Sequence, residues 1–92
     1  MQTAELLAAR SLVSDAASSG RAELGRLTAS AQDVLGYGWQ GAAAAAFGHG
    51  WEQWHDGAQR VLAALDEIGV ALGATARTYA THEAANVERL AS

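Results

Sequence analysis

The sequence predicts an all-α fold: two long helices joined by a short turn into an antiparallel hairpin, which pairs with a second hairpin into a four-helix bundle. Three observations predict it. Apolar residues recur at spacings of three and four along nearly the whole chain, the period of a helix face and not of a strand. Proline is absent, so neither helix meets its strongest breaker. Glycines cluster at Gly36, Gly38 and Gly41, midway along, where a reversing chain needs backbone freedom.

The first helix is expected over residues 3–35. Leu6, Val13, Ala17, Gly20, Leu24, Leu27, Ala31 and Val34 form its stripe, with Arg10 as the one polar member. Leu7, Leu12 and Leu35 widen that stripe, while serines, Asp15, Glu23, Arg26 and Asp33 make the solvated side. Gly36 is expected to close the helix as a left-handed C-cap.

The turn spans residues 36–40. Gly36-Tyr37-Gly38 lets the chain reverse, and Trp39 is placed to fold back over the hairpin end. Gly41 is expected one step into the second helix, where its missing side chain admits the indole or the first helix. Ala42 to Ala46 then start the helix without demanding room.

The second helix is expected over residues 41–88 and is the more regular. With Trp51 at heptad position a, Ala58, Leu65, Leu72 and Tyr79 share that position. Phe47, Trp54, Val61, Ile68 and Thr75 fall at d. A seam sustained over that many heptads packs on other helices. Each helix can bury one stripe against its mate, but the apolar faces, flanked by Leu7 and Leu62, are wider than that. Phe47, Trp51, Trp54, Val61, Leu65, Ile68 and Leu72 are therefore the expected interface with a partner.

Composition points the same way. The chain of 92 residues is read as one domain, residues 1–92, half apolar but rich in alanine, which buries little area. It has no cysteine, hence no disulfide and no thiolate metal site. A small chain without staples gains missing burial by association. Gly48, Gly50, Gly57, Gly69 and Gly73 lie inside the second helix, each at about 1 kcal/mol against alanine. Gly69 and Gly73 form a small-xxx-small pair that permits close helix approach. Tight packing on the partner explains them, and so does a hairpin plastic enough to offer an apolar face to a membrane.

Several function classes are excluded. The formal charge is −4, with ten acidic residues against six basic ones, so no basic patch serves nucleic acid. No cleavable signal peptide and no membrane-length apolar run stand in the sequence. His49, Glu52 and Asp56 share a helix face that could ligate a metal. A solvated face with an Asp56–Arg60 ion pair explains them more simply. No nucleophile turn or phosphate loop supports an enzyme, and no cofactor is implied.

Two motifs carry a resemblance. Trp39-Gln40-Gly41 stands at the midpoint of the hairpin, and Tyr79-Ala80-Thr81-His82-Glu83 lies late in the second helix. Tyr and Glu four residues apart share one helix face. Together with the chain's length and lack of cysteine and proline, these motifs resemble the Trp-x-Gly (WXG, Esx) family of type VII secretion substrates. The resemblance covers the whole chain and implies that Trp39 and Gly41 form the turn motif, with Tyr79 and Glu83 the export signal. It also implies a secreted or envelope-associated protein, exported without a cleavable signal peptide and recognised by a type VII secretion ATPase. The stretch GWQGAAAAAFGHGWEQWHDGA looks closest to the EsxF type. That type implies a co-encoded EsxE-type partner in a heterodimer rather than a homodimer. The alternative it implies is a membrane-active, pore-forming pair that helps move a toxin or nutrient across the envelope.

Overall fold

The computed structural model describes residues 2–36 and 40–91. Two helices account for nearly all of them: α1 over Thr3–Gly36 and α2 over Ala42–Ala91. No strand occurs among the described residues. The protein is an all-α helical hairpin.

Both helix junctions differ from expectation. Gly36 is the last helical residue of α1, and the positive φ among the described residues falls on Gly41, at 92°. Glycine tolerates helical and left-handed backbone alike, so its presence alone does not locate the reversal. Gly41 stands just outside α2 rather than one step inside. Its carbonyl accepts the first helical bond from the Ala45 amide at 3.1 Å, which is the N-cap role. At the other end α2 continues past residue 88 to Ala91, with Arg89 in the last turn, where a cation suits the helix dipole. Tyr37, Gly38 and Trp39, the rest of the expected turn, lie outside the described residues, as do Met1 and Ser92.

Packing divides the chain into two units, each a stretch of paired antiparallel helix. The first is Ala17–Ala64, with Ala17, Leu24, Ala31, Ala44 and Leu62 buried. Leu62 is the knob of this unit: a Cβ built on Gly20 would meet its Cδ2 at 2.7 Å. A residue expected only to flank the stripe is thus its best-packed leucine on α2, because Gly20 leaves a notch opposite it. Gly48 faces Leu35 more loosely, with 3.9 Å to the Leu35 Cδ2.

The second unit joins Met1–Ala16 to Leu65–Ser92 and buries Leu6, Gly73 and Ala76. The Arg10 guanidinium lies across Gly73, three of its atoms 3.3 Å from where a Cβ would stand. Val13 Cγ1 comes to 3.9 Å of the corresponding point at Gly69. The Gly69–Gly73 pair therefore faces α1 of the same chain, where the sequence suggested a partner. That placement also explains the lone polar member of the α1 stripe, since Arg10 needs an opposing residue without a side chain.

In both units the intrachain seam of α2 runs along Ala44, Gly48, Trp51, His55, Ala58 and Leu62, then Leu65, Gly69, Leu72 and Ala76, all buried or half-buried. This is an a/e seam, offset from the expected a/d stripe. The reason is size: the small residues on the e side let the helices approach, whereas Phe47 and Trp54 at d are too large for that gap and stay at the rim.

Four threonines turn their hydroxyls back onto the helix. Thr28, Thr75, Thr78 and Thr81 donate to the carbonyls of Leu24, Ala71, Ala74 and Arg77, at 2.7 to 3.2 Å.

Candidate functional site

The offset of the seam leaves large side chains outside it: a row in the unit Ala17–Ala64, and Ile68 in the other unit. Trp54 is 51% exposed, Val61 61%, Ile68 48% and Phe47 36%. Trp51, Leu65 and Leu72 are half-buried in the intrachain seam, so the expected interface residues divide into a covered and an uncovered set. Gly50 and Gly57 stand on the uncovered side, with no described atom within 4 Å of a built Cβ at either. Nothing among the described residues accounts for these two glycines.

Within the unit Ala17–Ala64 the row borders a shallow apolar groove of about 330 Å³. Gly20, Leu24 and Leu27 of α1 and Trp54, Val61 and Leu62 of α2 line it. The Trp54 ring that lines it belongs to a cluster of tilted rings. Trp51 and Trp54 have centroids 5.2 Å apart at 33°, and Trp51 and His55 lie 5.8 Å apart at 45°. Tilted aromatic pairs at such spacing hold each other in place. The result is a fixed apolar surface that offers shape and almost no hydrogen bonding, suited to another helix.

The second surface lies in the other unit. Tyr79 is 39% exposed and Glu83 is exposed one turn further on. Glu83 is not merely a solvated acid: its Oε1 accepts a hydrogen bond of 3.0 Å from Thr3 Oγ1 at the start of α1. The spacing motif contains no hint of this, because the contact joins residues at opposite ends of the chain.

The chemistry these surfaces permit is recognition. Asp56 pairs with Arg60 at 3.0 Å and Glu23 with Arg26 at 2.9 Å, both exposed, and such pairs add little stability. Among the described residues no three His, Asp or Glu converge as metal ligands. No helix among them is long and apolar enough to cross a membrane. Of the turn motif only Gly41 is described, and its φ of 92° is a conformation that residues with a Cβ rarely adopt.

Comparison with known proteins agrees on one family. The family model "WXG100: Proteins of 100 residues with WXG" matches residues 1–84. The chain is 35% identical over 68 residues to the ESAT-6-like protein EsxF of Mycobacterium tuberculosis, in strains CDC 1551 / Oshkosh and ATCC 25618 / H37Rv. That match takes in 74% of this chain and 65% of the relative's length. No solved structure matches significantly.

Proposed function

The chain belongs to the WXG100 family, and on that premise we propose that it is exported by a type VII secretion system as one subunit of a helical-bundle dimer. One observation carries the pairing. Phe47, Trp54 and Val61 form a row of large apolar side chains on α2 within the unit Ala17–Ala64, 36% to 61% exposed, and Ile68 of the other unit is 48% exposed. A second hairpin laid along that row makes a four-helix bundle and covers it. In this reading the partner is a distinct, co-encoded EsxE-type subunit, which the EsxF likeness supports. Tyr79 and Glu83 are both exposed on α2 and present one aromatic and one carboxylate to a secretion ATPase. In this reading the partner's C-terminal helix end lies beside Gly41.

Co-expression with the neighbouring small open reading frame, followed by native mass measurement, tests the pairing. A mass equal to one copy of each supports it, and a chain that remains alone at micromolar concentration defeats it. Export is tested with Glu83→Ala and Glu83→Gln. Both variants should pair yet be missing from culture filtrate, and normal secretion of both would leave Glu83 without a signalling role.

Gly50 and Gly57, which no contact among the described residues explains, favour a second reading. In it the pair repacks on a membrane, exposes the apolar row to lipid and admits a toxin or nutrient. Leakage of dye-filled liposomes on adding the purified pair would support it, and binding without leakage would count against it.

A further inference from the structure

We propose that Thr3 is a positioning residue for the export signal, so that the signal is completed by the N-terminal end of α1 as well as by α2. This rests on the export reading above, and its test separates the two. Thr3 Oγ1 donates to Glu83 Oε1 at 3.0 Å, within one packing unit. Thr3 is also the first residue of α1, where unsatisfied amides give a helix its positive end. A carboxylate fastened to that hydroxyl therefore stands at a partial positive charge, and two attractions act on the same group.

A glutamate on an open helix surface moves among several staggered rotamers. Fixed at one oxygen by Thr3, Glu83 holds fewer of them and keeps acceptor positions for a receptor, since a carboxylate offers about four. Tyr79 stands one turn before it on the same helix, partly exposed. The ring and carboxylate have a defined mutual geometry only while the start of α1 lies against α2. A hairpin open at this end would carry the same two residues without that geometry. The receptor thereby reads closure of the hairpin along with the two side chains, and an unfolded chain is a poor substrate for it.

Thr3→Val keeps the β-branched shape and removes the donor, whereas Thr3→Ser keeps the donor. Each is expressed with the partner, and the protein in culture filtrate is measured relative to the complex inside the cell. Thr3→Val should lower that ratio about two- to fivefold, the effect of losing one exposed hydrogen bond. Thr3→Ser should restore it, and both complexes should co-purify and melt like wild type. Wild-type export of Thr3→Val beside blocked Glu83→Ala would overturn the role of Thr3 and leave the export reading standing. Failure of Thr3→Ser to restore export would overturn it too, because the hydroxyl would not be the operative group. Loss of pairing in Thr3→Val would assign the contact to assembly instead. Normal export of Glu83→Ala and Glu83→Gln would sink the export reading itself, a separate outcome.

Discussion

At Gly41 one backbone angle decides what the position tolerates. Its φ is 92°, and no described atom lies within 4 Å of a built Cβ. That angle is a conformational demand in itself, and the expected approach of the Trp39 indole lies outside the described residues. Gly41→Ala should then destabilise the complex by about 1–2 kcal/mol, the cost of a side chain in left-handed backbone. Gly41→Leu should cost about the same, and Gln40→Ala should be nearly silent since Gln40 is exposed. Urea unfolding of the co-expressed pair measures all three. If leucine proves much worse than alanine, the steric account of this glycine returns. Two glycines on α2 illustrate the opposite demand. Gly73 leaves space under Arg10, whereas a Cβ built on Gly57 meets no described atom within 4 Å.

For the helices as elements, the period of three and four made both legible, because an unbroken apolar stripe without proline has no other regular solution. The period fixes which face is apolar but not which edge of that face meets the mate. That edge is set by Gly48, Gly69 and Ala76 at e, whose size matters more than their hydropathy, and it moves the seam from a/d to a/e. The Tyr79 and Glu83 pair was legible as a motif, whereas its tie to Thr3 has no local signal. Ile68 and Leu65 separate the two packing roles. Ile68 is 48% exposed and Leu65 half-buried. Ile68→Asp should abolish pairing while the isolated hairpin keeps its helicity by circular dichroism, since burying an unpaired charge costs several kcal/mol. Leu65→Asp should lower both. If Ile68→Asp still pairs, the partner lies on another face. Gly57→Ala gives the complementary result. It should stabilise the isolated chain by about 0.5–1 kcal/mol through helix propensity and weaken the pair, because a methyl then fills the space a second helix would take. A pair as stable as wild type would show that no helix approaches there.

As a whole molecule, the chain buries only alanine, leucine and Gly73 among the described residues, while Trp54 stays half exposed. Its stability should therefore belong to the complex and follow concentration. Tenfold dilution of an obligate pair removes about 1.4 kcal/mol of apparent stability, so its melting temperature should fall on dilution, and a constant value would mark a self-sufficient monomer. The threonines bear on how such a pair forms. Thr75, Thr78 and Thr81 are exposed, yet each has its one hydroxyl proton engaged by a carbonyl four residues back. Stripping water from a surface is penalised chiefly where a donor loses its bond and finds no replacement. These three have no free donor to strand, and what they can offer a neighbour is a methyl group. At Thr75, Thr78 and Thr81 the surface of α2 is polar by residue type but dehydrates more like an apolar one. A helix arriving there meets little of the desolvation penalty that three hydroxyls in a row would otherwise impose.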